Sequence, residues 1–403
     1  MKHDKPGKPL QGIRVLDAAT FLAGPFCATS MAEFGAEVIK VEHPVVDDPL
    51  RNLGTRVDGG ETLMYLSEAR NKKAITLDLG VPEGAEIFKR MVKTADVVIE
   101  NFRPGTMERW GLGYEALRAI NPGIVMVRIT AFGQDGPYKD RPGFARIAHA
   151  FSGLTYLVGE TGGKPLLPGA MGLADYISGL YGLIGALMAL RYRDLTGLGQ
   201  YIDVALYEST FRMLDELVPA YARLGIVREP MGAETPTIVP HSHYKCSDGS
   251  WVAVACSSDK MFQRLITTMG RPELVNDPEY ATMQSRVRNR EQVNAMVAEW
   301  VGRYERDELI RICLENEIPC GPVNNVADIF ADPHYRERGN LLKVKDSEAG
   351  EVVVPAVVPR LSLTPGTLNH LGRHKGSDTD NVLRDLLNLT DDELAGLRAR
   401  KVI

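Results

Sequence analysis

The sequence lacks several features that mark whole classes of protein. Its 5 cysteines form no CxxC pair, which argues against a zinc ribbon or a thioredoxin-like motif. Its 47 basic and 52 acidic residues give a net charge of -5, so it lacks the basic excess typical of a general nucleic-acid binder. The motifs GxxxxGK[ST], HExxH and GxSxG are missing, and no GxGxxG follows a strand. Nothing therefore supports a P-loop or a nicotinamide site.

Long hydrophobic runs and targeting signals are also scarce. The first 11 residues are polar and contain no apolar core of signal-peptide length. The longest apolar stretch, residues 177–190, contains three glycines and is too short to span a bilayer. The odd number of cysteines favours a reducing compartment. We therefore expect a soluble cytoplasmic protein without a membrane partner.

The first part of the chain alternates strand-like and helix-like segments. Short β-branched runs are separated by amphipathic stretches, a pattern typical of βαβ units on a parallel sheet. A hairpin about Asp248-Gly249, followed by helices, indicates a separate smaller domain over residues 226–330. The strands predicted for the α/β part lie at residues 12–18, 37–41, 74–79, 96–100, 123–130 and 200–206.

Asp175 is the most informative single residue. It is the only charged residue between Lys164 and Arg191, and it lies in the first turn of a helix predicted from Gly172 to Arg193. One interpretation is an acid that complements the helix dipole. The other is a carboxylate nucleophile for covalent acyl chemistry, kept ionised by the helix N-terminus. The same helix face carries small residues that let another backbone or a ligand approach closely: Gly179, Gly182 and Ala186.

Two histidines, His241 and His243, lie two residues apart on a predicted strand and so face the same side. This spacing is compatible with a metal pair, but the sequence shows no third ligand nearby. The simpler interpretation is a pair of polar side chains at a strand end or a pocket rim. We therefore predict no metal site.

Long motifs follow one another along nearly the whole chain. They are LQGIRVLDAATFLAGPFCATSMAEFGAEVIKVEHP, DDPLR, NKKAITLDL, DVVIENFRPGTMERWGLGYEAL, TAFGQDGPYKDRPGF, the Asp175 segment with TGLGQYIDVALYE, and GRHKGSDTDNVLRDLLNLTDDELAGLRARKVI. Together they resemble the class III CoA-transferases, a family that includes formyl-CoA transferase and carnitine-type CoA-transferases. The family's catalytic aspartate falls on Asp175, so the resemblance favours the nucleophile over the dipole interpretation.

The resemblance implies a fold, an assembly and a mechanism. The fold would be α/β, with a large Rossmann-like domain built from both chain ends (residues 1–225 and 331–403, the latter including a linker) and a smaller α+β middle domain (226–330). Two chains would interlock. The aspartate would form a mixed anhydride with the acyl group and then an aspartyl-CoA thioester, without a metal or any cofactor besides the CoA thioester substrate.

The resemblance also implies CoA contacts at matched positions. Some belong to strand–helix turns where the backbone approaches the ligand, and others are basic residues suited to the phosphates of CoA. A lone basic residue among them could equally be a solvated surface charge. The residues are Leu22, Ala23, His43, Leu77, Asp78, Gly80, Asn101, Phe102, Arg103, Arg109 and Lys139.

Departures from the family pattern bear on the acceptor. Leu22 stands where formyl- and oxalate-type members carry glutamine, and Gly143-Phe144-Ala145 replaces the Gly-His-Asp of the racemase branch. The form GFARIAHA looks like the branch that uses succinyl-CoA and dicarboxylic acids such as malate, citramalate or benzylsuccinate. Arg146 is the candidate for an acceptor carboxylate, the alternative being a structural salt bridge. Three residues of the middle domain would close the pocket: His241, His243 and Tyr244.

Three functions remain open from the sequence. The first is a CoA-transferase with succinyl-CoA as donor and a dicarboxylate as acceptor. The second is an isomerase that moves CoA within an unsaturated dicarboxylyl-CoA. The third is a CoA-binding subunit of a hetero-oligomer, although Asp175 argues against a chain without its own chemistry. The expected partners are CoA thioesters, carboxylic acids, and a second identical or related chain.

Overall fold

The structure, a computed structural model, describes residues 7–56 and 60–403. The chain divides into a larger unit, made of residues up to Thr155, Leu167–Ile226 and Glu337–Ile403, and a smaller unit, made of Tyr156–Leu166 and Val227–Arg336. Sequence analysis had placed residues 156–166 in the large domain. They belong to the smaller unit because the Tyr156 hydroxyl donates to Glu229 Oε2 (2.7 Å) and Thr161 Oγ1 donates to the Pro230 carbonyl (2.6 Å).

Six parallel strands form the sheet of the larger unit, in the order β3-β2-β1-β4-β5-β6. Val15 pairs with Val38 on one side and with Val97 on the other, which places β1 in the middle of the sheet. The predicted α/β class is confirmed. The strands are β1 (Arg14–Asp17), β2 (Glu37–Glu42), β3 (Lys72–Thr76), β4 (Val97–Glu100), β5 (Val125–Thr130) and β6 (Tyr201–Ala205).

Both faces of this sheet are buried, as expected for parallel strands. Neighbouring residues of β1 belong to different cores, since Val15 packs in one cluster and Leu16 in the other. The helices up to residue 224 are α1 (Ala23–Glu33), α2 (Leu63–Glu68), α3 (Pro82–Val92), α4 (Thr106–Arg109), α5 (Tyr114–Ile120), α6 (Ala145–Phe151), α7 (Leu154–Leu157), α8 (Leu173–Thr196), α9 (Leu206–Phe211) and α10 (Leu217–Leu224).

The small residues of α8 serve helix packing. A Cβ atom added at Gly179 would lie 2.8 Å from the Ala23 carbonyl oxygen, and one at Gly182 would lie 3.3 Å from Cys27 Sγ. The stripe predicted for a backbone or a ligand thus admits the backbone of α1. Contrary to the expectation from residues 177–190, α8 has 24 residues and is long and apolar enough to cross a membrane by length and composition. Its glycine face is nevertheless occupied by α1.

The smaller unit contains the predicted hairpin. Lys245 pairs with Trp251 across the turn, where Gly249 takes a φ of +84°. The antiparallel strands are β7 (His241–Lys245), β8 (Trp251–Ala255) and β9 (Cys320–Pro322), and the helices are α11 (Asp259–Thr268), α12 (Met283–Arg288), α13 (Arg290–Val301), α14 (Arg306–Glu315), α15 (Val326–Ala331) and α16 (Pro333–Glu337).

The C-terminal part returns to the larger unit. Asp378 Oδ2 accepts from the Ala74 N–H (2.8 Å), which ties this part to the edge strand β3. Sequence analysis predicted one helix over residues 377–400, but Asn388 takes a φ of +55° and separates the last two helices. The elements are β10 (Leu341–Asp346), β11 (Gly350–Pro355), α17 (Thr379–Leu387) and α18 (Asp391–Ala399).

Candidate active site

A cleft of about 380 Å³, here called the first cleft, opens at the carboxyl ends of β1 to β4. The strand order reverses between β1 and β4, and open α/β sheets bind ligands outside such a switch point. Five residues predicted to bind CoA line this cleft together: His43, Leu77, Asp78, Gly80 and Phe102. The fold thus brings side chains from three separate sequence segments to one place.

The walls of the first cleft combine an apolar surface with a fixed polar rim. Phe102 packs edge-to-face on Trp110, with ring centroids 5.0 Å apart. His43 Nε2 lies 3.5 Å from Asp78 Oδ2, and Asp78 Oδ1 accepts from the Gly80 N–H at 2.9 Å. Sequence analysis missed Trp110 as a lining residue. A tryptophan in the RWGLG segment was the available signal, because a flat aromatic wall suits a planar ligand.

A second cleft of about 240 Å³ adjoins the first and shares Thr20, Pro49 and Phe102 with it. The predicted residues Asn101, Arg103 and Lys139 line it, together with Arg141, which sequence analysis missed. Arg103, Lys139 and Arg141 are exposed and have no ion pair within the described residues. Three unpaired cations around one small cleft suit a phosphate-bearing ligand.

Arg109 does not join this group. It is exposed on α4, its Nη2 donates to Thr106 Oγ1 at 2.8 Å, and it lines neither cleft. Its predicted contact with CoA therefore stays a prediction.

Asn101 fixes the loop between β1 and α1. Its Oδ1 accepts from the Thr20 N–H (2.8 Å), and its Nδ2 donates to the Thr20 carbonyl (2.7 Å). Both polar ends of the side chain are thus engaged by one residue of the loop. Asn101 shapes the wall of the second cleft through Thr20 as well as through its own surface.

Two buried charges hold the neighbouring loop residues. Phe21 takes a φ of +61°, which few side chains adopt without support. Asp48 Oδ1 accepts from the Phe21 N–H (3.0 Å), while Asp48 Oδ2 pairs with Lys40 (2.7 Å). Lys40 also donates to the Ala19 carbonyl. This loop leads into Leu22 and Ala23, both predicted for CoA and both buried.

Asp175 lies in the first turn of α8, beside this loop. A Cβ atom added at Gly172 would lie 2.6 Å from Leu22 Cδ2 and 3.3 Å from Asp175 Oδ2, so a glycine keeps this space open. Asp175 is half-buried, and no hydrogen bond or ion pair reaches its carboxylate from the described residues. Burial raises the pKa of Asp175 to about 7. Desolvation thus opposes the ionisation that the helix N-terminus is expected to favour.

Arg146 lies on α6, two residues after Phe144, a residue of the second cleft. It is exposed, and no carboxylate among the described residues pairs with it. The alternative of a structural salt bridge therefore has no support among the described residues. Arg146, like Arg109, lines neither cleft, so its contact with an acceptor stays a prediction.

The three candidates from the smaller unit differ in exposure. His241 is half-buried and His243 is exposed, both on β7. Tyr244 is 4 % exposed, and its hydroxyl donates to Asn294 Oδ1 at 2.7 Å. Burial also raises the pKa of Tyr244. Tyr244 packs in the core of the smaller unit and its hydroxyl is already engaged, so its contact with an acceptor stays a prediction.

Within residues 7–56 and 60–403, no cluster of three or more histidine, cysteine, aspartate or glutamate side chains has the arrangement of a metal site.

Comparison with known proteins places this site in a family. The sequence profile described as CoA-transferase family III matches residues 10–378. The chain is 52% identical over 396 residues to the alpha subunit of succinyl-CoA–L-malate CoA-transferase of Chloroflexus aurantiacus, covering 98% of this chain and 92% of that one. It is 50% identical over 397 residues to the beta subunit from the same organism, covering 98% of both chains.

A solved structure agrees with these relatives. The crystal structure of a CAIB/BAIF family protein from Brucella suis matches with a TM-score of 0.83 and 34% identity, covering 94% of this chain and 99% of that one. The chain belongs to CoA-transferase family III and is a CoA-transferase.

Proposed function

We propose that this enzyme transfers CoA from succinyl-CoA to a dicarboxylic acid such as malate, with Asp175 as the covalent nucleophile. The observation that carries the proposal is a partner-free, half-buried carboxylate at the start of α8, beside the loop that walls both clefts. The similarity to both subunits of a succinyl-CoA–L-malate CoA-transferase supports the donor and the acceptor class. Citramalate and benzylsuccinate are further acceptors of the same chemistry.

The proposed reaction balances without a redox partner. The Asp175 carboxylate attacks the thioester carbonyl, the C–S bond breaks, and CoA thiolate leaves a mixed anhydride. The thiolate then attacks the Asp175 carbonyl, which releases succinate and leaves an aspartyl-CoA thioester. The acceptor carboxylate attacks this thioester to form a second anhydride, and the thiolate attacks the acceptor carbonyl. The products are acceptor-CoA and the free carboxylate of Asp175.

The two clefts suit different parts of CoA. The apolar walls of the first cleft, with Phe102 and Trp110, fit a planar base. The unpaired cations of the second, Arg103, Lys139 and Arg141, fit phosphates. A thiolate anchored in this way stays bound while the acids exchange, as the two-anhydride sequence requires.

A panel of acids tests the function. The purified protein is incubated with succinyl-CoA and malate, citramalate, benzylsuccinate or acetate, and the CoA esters are measured by mass spectrometry. We expect new thioesters with the dicarboxylates and none with acetate. Conversion of an unsaturated dicarboxylyl-CoA without free acid would favour the isomerase, and activity only after addition of a related chain would favour the subunit function.

The rate should depend on pH near neutrality. Because burial raises the pKa of Asp175 to about 7, the attacking carboxylate is scarce below that pH. We expect kcat/KM for succinyl-CoA to rise about fivefold between pH 6 and pH 7 and about twofold between pH 7 and pH 8. The free carboxylate of succinyl-CoA resembles a glutamate side chain, with a pKa of about 4.3, so it is ionised from pH 6 upward and its titration does not contribute. A flat profile between pH 6 and 8 would contradict the raised pKa.

We also propose that two copies of the chain interlock around the outer face of α8. The larger unit is built from N-terminal and C-terminal parts of the chain, as a Rossmann-like domain drawn from both ends requires. Apolar side chains at helical spacing stay exposed on that face, a pattern that marks an interaction site. The residues are Leu180, Ile184, Leu187, Met188, Tyr192 and Leu195.

Charge on this face should prevent assembly. Met188 is 68% exposed, so Met188→Glu costs the single chain little, while two such charges buried in a dimer repel and lack partners. We expect the wild type to be dimeric at nanomolar concentration by mass photometry and Met188→Glu to be monomeric or insoluble. The control is Leu314→Glu in the smaller unit, at a side chain that is 64% exposed. A dimeric Met188→Glu protein would refute the proposal that this face of α8 forms the dimer interface.

The five cysteines bear on the compartment. All of them are free thiols, and four are buried. This supports the proposed cytoplasmic location, where thiols stay reduced.

A further inference from the structure

The start of α8 lacks a capping side chain of its own. Its N-cap residue is Gly172, and no side chain of the cap position accepts a hydrogen bond from the first turn. First-turn N–H groups have no partner inside a helix and need one from elsewhere. The acceptor for the Ala174 N–H is His149 Nε2 of α6, at 2.9 Å. Ala174 directly precedes Asp175, so this bond holds the backbone next to the nucleophile.

This contact determines the state of His149. An imidazole nitrogen that accepts a hydrogen bond carries no proton, so His149 is neutral with its proton on Nδ1. Its side chain is fully buried, and its Nδ1 has no partner among the described residues. Burial lowers the pKa of His149, and the cation of Arg146 lowers it further. The neutral acceptor is thus maintained near neutral pH.

The unpartnered Nδ1–H argues against the view that His149 serves packing alone. A buried donor without an acceptor loses free energy that an apolar side chain of similar size does not lose. Among the described residues, the one hydrogen bond of the His149 imidazole goes to the residue before Asp175. Ser178 Oγ donates to the Ala174 carbonyl at 2.6 Å, a contact that stays within α8.

We infer that His149 is a positioning residue for Asp175, acting as a cap in trans that fixes the first turn of α8 against α6. The inference rests on the proposed role of Asp175 as nucleophile. A loosened first turn would still bind CoA but would present the carboxylate poorly to the thioester. The expected signature is therefore a loss in kcat with little change in KM.

Two variants of His149 separate the loss of the hydrogen-bond acceptor from the change in side-chain volume. His149→Gln keeps an acceptor oxygen near the Nε2 position, whereas His149→Leu removes it. With succinyl-CoA and L-malate, we expect His149→Leu to lower kcat about 10- to 100-fold with KM within about twofold. His149→Gln should retain most of the activity. Ser178→Ala is the matched control at the same turn and should remain near wild type.

Hydrogen–deuterium exchange adds a readout that needs no catalysis. Peptides spanning residues 172–178 should exchange faster in His149→Leu than in wild type, and His149→Gln should restore protection. Equal loss of kcat in the Gln and Leu variants, or unchanged exchange in His149→Leu, would overturn the inference.

These experiments distinguish a failure of the positioning role of His149 from a failure of the proposed function. If Asp175→Asn is inactive while His149→Leu is fully active, only the positioning role fails. If Asp175→Asn is active, the nucleophile fails, and the exchange data still report whether His149 caps α8. Should His149→Leu not fold, ¹⁵N chemical shifts of wild-type histidines decide, with His149→Gln providing the assignment. A proton on Nε2 of His149 would refute the bond to Ala174.

Discussion

We expect Asp175→Asn to abolish CoA transfer and to lower kcat by at least about 10⁴-fold. An amide of nearly the same shape cannot form the anhydride or the thioester. No hydrogen bond or ion pair of the described residues depends on the carboxylate, so the fold should survive the change. Asp194→Asn, at an exposed carboxylate of the same helix, is the control and should retain full activity.

Asp175→Asn should not lower the stability of the folded chain, although it abolishes the activity. The pKa of Asp175 is about 7 in the folded chain against about 3.9 in an unfolded one, so the folded state favours the protonated acid. Stability is therefore lost as the pH rises from about 4 to about 7, and the loss is complete above that window. Asp175→Asn removes this penalty, and we expect a melting temperature at pH 8 equal to or above that of the wild type.

Chemical trapping identifies the intermediate directly. With succinyl-CoA present, hydroxylamine or borohydride should modify the wild type at Asp175, and peptide mass spectrometry should locate the change. Without acyl-CoA no modification is expected. Substantial activity in Asp175→Asn or Asp175→Ala would rule out the covalent mechanism.

The second large effect that we expect is that of Arg146→Met, which should raise the KM for dicarboxylates by at least about tenfold. A dicarboxylate keeps one carboxylate charged after the other has become a thioester, and burying that charge without a partner is costly. A charge-assisted pair contributes roughly 1.5–3 kcal/mol, or about 10- to 150-fold in affinity. Arg146 is exposed, unpaired among the described residues, and two positions from Phe144 in the second cleft.

The comparison that matters is between substrate types. Arg146→Met should affect a monocarboxylate acyl donor far less than succinyl-CoA or malate, since such a donor has no remote charge to meet. Arg118→Met, at an exposed arginine of α5, controls for loss of surface charge. Equal losses for both substrate types would indicate a structural role, and an unchanged KM would direct attention to His241 and His243.

The sequence predicted the strands and many residues of the site better than the contacts between distant segments. Periodicity located all six strands of the parallel sheet to within a few residues, because a short apolar run is a local signal. Motif matching located five residues that line the first cleft. Trp110 and Arg141 were not predicted, because the residue type of each suits a ligand but does not show which strand ends lie beside it.

Burial and hydrogen bonding were also beyond the sequence. Tyr244 looked like a pocket residue beside two histidines, yet alternation along β7 turns it into the core of the smaller unit. The local pattern there was compatible with two outcomes, and packing selected one of them.

The sequence by itself determined the α/β class, the family and the lone acid at the start of α8, because each depends on residues close together along the chain. Only the tertiary structure decided the state and setting of that acid. The pKa of Asp175 depends on how much water surrounds it, and its backbone depends on His149, a residue 25 positions from Ala174. Desolvation and contacts between distant segments exist only once the chain has folded, so no local pattern specifies them.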